Sequence, residues 1–354
     1  MSDDRAARKL TLRDVADAAN VSLATASKVL NNRAGVGADT RDRVNQIAQD
    51  LGFVALTERQ HAARQAGEAT IEVLVEPDDV SNPYLALLLG GAIEVASSLD
   101  IGLLIRSIES AKARTPTAWA TMLARSGRIG VIEVTSAYSA ARERALRAAG
   151  LTMVLIDPID SPRTTTYSIG ATNWAGAYEA TKHLLDLGHR RIDYIGGPPK
   201  ASCDTVRAHG WAAAMAEAGI RVDIDGVPRK AFSFDHGLAA ATELLTSSNP
   251  PTAIFAGSDA SAMGVLEAAR RLGVTVPDEL SVVGFDDTVL ARASAPPLTT
   301  VHQPIADIGR AAVSTLLRVS SGEHLATKRV ELSTHLEVRA STATRPELLR
   351  KVEA

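Results

Sequence analysis

Two groups of residues in this chain have types and spacing suited to molecular recognition. Between Asn20 and Asn32, the residues Ser22, Thr25, Ser27, Lys28 and Asn31 share the outer face of a helical pattern. Small hydroxyls, an amide and one cation suit phosphates and base edges in a DNA major groove. A solvated helix in any small bundle would carry the same face. The second group comprises carboxylates that follow apolar runs: Asp259 after "TAIFAGS" and Asp286 after "LSVVGF". Open α/β sheets bind ligands at the carboxyl ends of their strands, although an Asp there also serves as a helix cap. Covalent or metal chemistry finds no support. There is no G-x-G-x-x-G after a strand, no Walker A loop and no G-x-S-x-G elbow, and "IGGPPKAS" lacks the Lys-Ser/Thr of a phosphate loop. His183 and His189 have no third ligand in reach, so neither metal nor other cofactor is expected, and His183 is expected to cover a helix surface.

The elements around the first group are three short helices. Leu12, Val15, Ala16 and Ala19 recur at three and four residues, so they form one apolar face. Asn20-Val21-Ser22 interrupts the pattern: Asn tolerates the left-handed conformation that ends a helix, and Ser22 is a good N-cap. Ala26, Val29 and Leu30 continue the face. Thr40 to Leu51 supplies a third apolar stripe through Val44, Ile47, Ala48 and Leu51. Residues 5–64 hold ten Lys/Arg against six Asp/Glu in a chain whose net charge is −3. A basic head on an acidic body is the asymmetry expected when only the head meets DNA.

From Ile71 onward, apolar runs of strand length alternate with helical patterns. "IEVLVE", "IGLLI", "IGVIEV", "TMVLID", "RIDYIGG", "TAIFAGS" and "LSVVGFD" read as buried strands. Asn173–Leu187, Cys203–Ala218 and Asp259–Leu272 read as helices. This alternation predicts parallel sheets covered on both faces, and the number of units predicts two doubly wound lobes. At 354 residues, with 45% hydrophobic and 22% charged composition, the chain has material for two or three cores. "MSDDRAARKL" has no apolar leader and no run approaches a membrane span, so a cytoplasmic protein is expected. The single Cys203 has no disulfide partner within the chain.

"TLRDVADAANVSLATASKVLNN" (Thr11 to Asn32) followed by "TRDRVNQIAQDLGF" (Thr40 to Phe53) resembles the helix-turn-helix headpiece of the lactose repressor family. A second resemblance to the same family, whose core is similar to periplasmic sugar-binding proteins, covers roughly Ile71 to Thr342. It is carried by "SNPY", "HLLDLGHRRIDYIGG", "VRAHGW", "PPTAIFAGSDASAMGVLEAARRLGVTVPDELSVVGFDD", "PPLTTVHQP" and "LEVRAST". The resemblance implies a three-helix headpiece (1–53), a linker and hinge helix (54–69), and a two-lobed core (70–345) with a short tail (346–354). The chain would cross between lobes three times, lobe one taking about 70–165 and 301–326, lobe two about 166–300 and 327–345. It places Leu23, Ala24 and Lys28 at base-reading positions. Thr11, Ser22, Thr25, Ser27, Asn31 and Thr40 complete the DNA-contacting set. It places Arg207 and Asp286 at effector-contacting positions and Phe232 near an aromatic stacking position, with Tyr84, Asp259 and Gln303 completing the cleft. Carboxylates and a guanidinium fork suit vicinal hydroxyls. The expected function is that of a regulator, most simply a repressor, that binds a palindromic operator as a homodimer under control of a small sugar or glycoside. A purine-responsive regulator and a transport binding protein are the alternatives.

The chain departs from the family's pattern in the linker. The family has a hinge helix resembling P-N-x-x-A-R-x-L, whose leucine wedges into the minor groove. Here "VALTERQHAARQAGEA" places Ala62 at the leucine position, or Ala66 if the alignment slides by one turn. The tail "TRPELLRKVEA" is too short for a tetramerising leucine array, so a dimer is the expected end state.

Overall fold

The computed structural model describes residues 12–30, 35–50, 69–77, 80–160 and 162–345. Thr11, Asn31, the expected hinge with Ala62 and Ala66, and the tail lie outside the described residues. The first unit consists of α1 (Leu12–Ala18), α2 (Leu23–Leu30) and α3 (Ala38–Asp50), closed around Val15, Ala26 and Val44, all fully buried. The break between α1 and α2 follows the chemistry of its residues. Asn20 takes φ 52° and the Val21 amide donates to the Ala16 carbonyl at 3.0 Å. The Ser22 hydroxyl then accepts from the Thr25 amide at 3.1 Å, capping α2.

The body contains two sheets. The strands are β1 (Thr70–Val75), β2 (Gly102–Ser107), β3 (Arg128–Val134), β4 (Thr152–Ile156), β5 (Tyr167–Ala171), β6 (Ile192–Ile195), β7 (Ala253–Ala256), β8 (Ser281–Asp286), β9 (Thr299–His302), β10 (Arg329–Leu332) and β11 (His335–Glu337). The first sheet has the order β10-β5-β4-β3-β1-β2 and is parallel throughout. The second has the order β11-β9-β8-β7-β6, parallel except for β11 against β9. Apolar strands buried on both faces are what doubly wound packing requires.

Helices α4 (Pro83–Ser98), α5 (Glu109–Lys112), α6 (Pro116–Arg125) and α7 (Ala140–Ala148) belong to the first lobe. The second lobe carries α8 (Asn173–Asp186), α9 (Ser202–Glu217), α10 (Phe234–Leu245), α11 (Asp259–Leu272) and α12 (Val289–Ala293). The chain then returns to the first lobe with α13 (Ile305–Ser320), which packs beside α4 over Ile71, Val73 and Ile132. The two helices approach so closely that a Cβ on Gly91 would stand 1.9 Å from the Ala306 carbonyl oxygen, and one on Gly309 2.1 Å from that of Leu88. Only glycine permits that approach.

Two expectations change. The first lobe extends one strand further than 165 and 326 on each visit, because β5 pairs with β4 and β10 pairs with β5. The crossings therefore fall after Ala171, between His302 and Ile305, and between Leu332 and His335. "IGLLI" was expected to be a buried strand; β2 is instead the edge of its sheet, and Ile105 is 45% exposed. An apolar run states that a segment is a strand, not which side is covered.

Candidate functional site

Of the residues the sequence selects, Leu23, Ala24, Thr25, Ser27 and Lys28 lie on α2 and Ser22 caps it, while Asn31 lies outside the described residues. Leu23 is 51% exposed and Ser22, Ala24 and Lys28 are exposed, while Thr25 and Ser27 are half-buried. Thr40 is half-buried in the first turn of α3. An exposed leucine beside an exposed alanine at a helix N-terminus gives apolar contact surface suited to thymine methyl groups.

The second site lies where strand ends of the two lobes meet. Arg207, on α9, is almost fully buried, although a surface salt bridge is the ordinary role of a helical arginine. Its Nε donates to Asn173 Oδ1 at 2.8 Å and its Nη1 to the Gly257 carbonyl at 2.6 Å. The guanidinium stacks 3.7 Å from the Phe285 ring centroid and 5.3 Å from that of Phe232. Its Nη2 makes no hydrogen bond among the described residues. Phe232 reaches the cluster because Gly197 has no side chain: a Cβ there would lie 2.3 Å from the ring. The loops carrying Gly197 and Phe232 are tied by Asp204, which accepts from the Gly197 amide at 2.7 Å and from Arg229 Nε at 2.7 Å.

Asp286 ends β8 with φ 121°, and Asp287 follows at φ 56°. Two successive non-glycine residues in that region are strained, and such strain concentrates where side chains are held for recognition. Arg339 and His302 clamp Asp287 at 2.5 and 2.9 Å. Asp286 is thereby aimed at Gln303, whose Nε2 donates to its carboxylate at 2.6 Å. Gln303 Oε1 is buried with no hydrogen-bond partner among the described residues. Burial raises the proton affinity of Asp286, and the Arg207 charge opposes that rise.

From the first lobe, the Tyr84 hydroxyl donates to Asp157 at 2.7 Å. Burial and the neighbouring Asp157 push the phenol well above its usual range, which keeps it a donor. Asp157 is itself raised by burial, against the hydrogen bond from Tyr84 and the charge of Arg207.

Asp259 departs from its expected role. One of its oxygens accepts from the Thr288 amide and hydroxyl at 2.7 and 2.9 Å, the other from the Thr300 hydroxyl at 2.6 Å. Ser258, not Asp259, caps α11. Both Asp259 carboxylate oxygens are thus used within the protein, tying the start of α11 to the segment after β8 and to β9. Burial, with the charge of Asp286, raises its proton affinity strongly. His183 and His189 are half-buried and buried hydrogen-bonding groups: His183 meets Thr342 and His189 meets Thr252, Ser281 and the Ala343 carbonyl.

Asp157 and Asn173 escaped the sequence reading. Asp157 ends the run "TMVLID" and obeys the strand-end rule that singles out Asp259 and Asp286. Asn173 follows β5, a strand whose short mixed sequence "YSIGA" carries too little apolar signal to mark it. A cavity of about 550 Å³ opens beside the cluster and shares Asp157 and Asn173 with it. The arrangement offers donors and acceptors in alternation around an arginine fork, with aromatic rings beside it, and no nucleophile paired with a base.

Comparison with known proteins finds relatives for both parts of the chain. Residues 11–55 match the family described as bacterial regulatory proteins, lacI family, and residues 181–342 match a periplasmic binding protein-like domain. The chain is 35% identical to the HTH-type transcriptional regulator DegA of Bacillus subtilis over 95% of this chain and 98% of that one. It is 30% identical to the HTH-type transcriptional repressor CytR of Escherichia coli over 95% and 97%. Among solved structures it is similar to a transcriptional regulator CelR-cellobiose complex (28% identity, TM-score 0.69, covering 94% of this chain and 100% of that one). It is also similar to the lac repressor dimer bound to operator and the anti-inducer ONPF (25% identity, TM-score 0.67, covering 95% and 100%). Among the described residues no helix is long and apolar enough to cross a membrane. A headpiece with an outward-facing second helix, a two-lobed body with a polar cleft, and relatives that match almost end to end lead to one conclusion: the chain belongs to the lacI family of bacterial transcriptional regulators.

Proposed function

We propose that this regulator is a repressor that binds a palindromic operator as a homodimer, and that a small sugar or glycoside in the interlobe cleft controls its grip. Lys28 reads a base, Leu23 and Ala24 pack on thymine methyls, and Ser22, Thr25, Ser27 and Thr40 hold phosphates, with Thr11 and Asn31 completing the set. The effector lies between Arg207, Asp286 and Gln303 on one side and Tyr84 and Asp157 on the other. The observation that carries this reading is that the cluster leaves both a guanidinium nitrogen and the buried Gln303 Oε1 unused. A hydroxyl both donates and accepts, so a hydroxylated ring can satisfy each of them. Leu87 and Ile93 on α4, with Leu99 and Ile105 near the edge strand, leave apolar surface that a second copy would cover.

Binding energy that differs between two lobe arrangements is what links effector to operator. The test has two parts. A mobility shift on a duplex from the protein's own promoter region should weaken at raised salt. A thermal-shift screen of sugars and nucleosides should find a ligand that stabilises the wild type and not Arg207→Ala. A stabilising ligand indifferent to both Arg207 and Asp286 would move the pocket elsewhere.

A further inference from the structure

We propose that the cavity beside the Arg207–Asp286 cluster is a second subsite of the effector cleft, and that the effector is a two-ring glycoside whose second ring lies there against Trp174. The inference rests on the effector reading of the cleft and deepens it by naming the size and shape of the ligand.

The cavity is continuous with the cluster through two shared residues. Asn173 lines it while holding Arg207 Nε, and Asp157 lines it while accepting from Tyr84. Its volume of about 550 Å³ falls within the range of roughly 300–1,000 Å³ that takes a ligand larger than one sugar ring. Its lining alternates in character. Pro158, Ile159, Val206 and Val330 are apolar, whereas Asp160 and Lys200 put opposite charges beside them. A ring with an apolar face and hydroxylated edges matches that pattern; a second charged group would not, because the lining carries both signs.

Trp174 supplies the platform. It is the second residue of α8, just after the first crossing between lobes, and stacks on Tyr178 with ring centroids 5.2 Å apart and 14° between planes. It remains 45% exposed and lines the cavity. An indole fixed on one side by a second aromatic ring and open on the other is a preorganised surface for the flat face of a sugar or a base. The α8 backbone beneath it is pinned by α9, since a Cβ on Gly210 would lie 2.5 Å from the Trp174 carbonyl oxygen.

The molecule carries its own reporter. Of its three tryptophans, Trp119 and Trp211 are buried, so Trp174 is the one that acrylamide can quench readily. Ligand pairs that differ by a ring separate the two subsites: glucose against cellobiose and maltose for O-glycosides, ribose against adenosine and cytidine for N-glycosides. For one pair, the two-ring member should bind roughly 10-fold or more tighter than its fragment, as expected for an added aromatic stacking contact. It should also shield the indole from acrylamide. Ala175→Phe, at an exposed α8 position on the cavity wall, should remove that gain while leaving one-ring binding unchanged; Trp174→Ala should do the same in calorimetry.

No gain from a second ring anywhere in the panel, or a gain that Ala175→Phe and Trp174→Ala both leave intact, overturns the inference. One-ring binding that depends on Asp286 without any such gain leaves the effector cleft standing and removes only the second subsite. Two-ring binding indifferent to Asp286→Asn separates the cavity from the cleft and overturns the inference. The winning pair distinguishes an O-glycoside from a nucleoside.

Discussion

Asp286→Asn should make the effector-free protein more stable at neutral pH while destroying its response to effector. The shape of the side chain is kept, and the amide oxygen can still accept from Gln303 Nε2 as the carboxylate does at 2.6 Å. The charge is lost, and in the native protein that charge is held against burial: the folded carboxyl is raised from its ordinary 3.8 to about 6 despite the nearby Arg207. A carboxyl raised in this way favours the folded state while protonated. Below about pH 4 the wild type and variant should be equally stable, because Asp286 is protonated folded and unfolded alike. From there to about pH 6 the unfolded chain releases its proton first, so wild-type stability drains away relative to the variant. Above that window the penalty is complete, on the order of a few kcal/mol, and it is shared with Asp259, whose buried carboxyl titrates together with Asp286. Urea unfolding of both proteins from pH 4 to 7.5 measures the difference directly. Effector affinity should fall by roughly 10- to 150-fold, the worth of one hydrogen bond to a charged group at about 1.5–3 kcal/mol. A variant less stable than wild type at pH 7.5, or a gain that does not grow with pH, would refute the claim that this carboxylate is kept at a cost to the fold.

Three further outcomes are expected. Arg207→Ala should move stability in the opposite direction, costing about 3–5 kcal/mol because buried Asp286 and Asp157 lose their cation; calorimetry with an effector found by screening should show binding lost, while mobility shifts show promoter binding retained. Lys28→Ala should cost roughly 1–3 kcal/mol and relax preference at one symmetric position per half-site. An equal loss on every duplex would make Lys28 a phosphate contact instead. A chain beginning at Ala69 should remain a folded, effector-binding dimer without promoter affinity, as judged by sedimentation and calorimetry, because the headpiece core and the body cores share no residues.

The headpiece was legible almost to the residue, because a three-helix unit writes its core as a period of three and four. Its break needed only Asn20 and Ser22. Seven strands of the body were visible as apolar runs, and the doubly wound architecture followed from their alternation with helices. The other four, β5, β9, β10 and β11, did not stand out as apolar runs: "YSIGA", "TTVH", "RVEL" and "HLE" are short and partly polar, and the place of β5 and β10 in the first sheet depends on partners far along the chain. The cleft was half legible. Asp286, Arg207, Gln303, Tyr84 and Phe232 were selected through the family's pattern, and the structure brings them into one neighbourhood. Whether a carboxylate faces outward or is used internally cannot be told from its position after a strand. Asp259 and Asp286 occupy like positions and differ because Thr288 and Thr300 reach only the first. Asn173 went unseen with the strand before it.

The threefold crossing between lobes also fixes the order in which the protein can be made. Among the described residues the headpiece core runs from Val15 to Ala48 and takes nothing from the body, so it can fold while the body is still being translated. The first lobe cannot: its α13 and edge strand β10 arrive only with Ile305–Leu332, after the second lobe's parallel strands. The second lobe in turn waits for β11 at His335–Glu337. Both sheets thus reach completion within a few residues of one another, and by contacts of long sequence separation that form slowly. A ribosome stalled anywhere in the body would therefore hold out a finished DNA-reading unit with no competent sensor behind it.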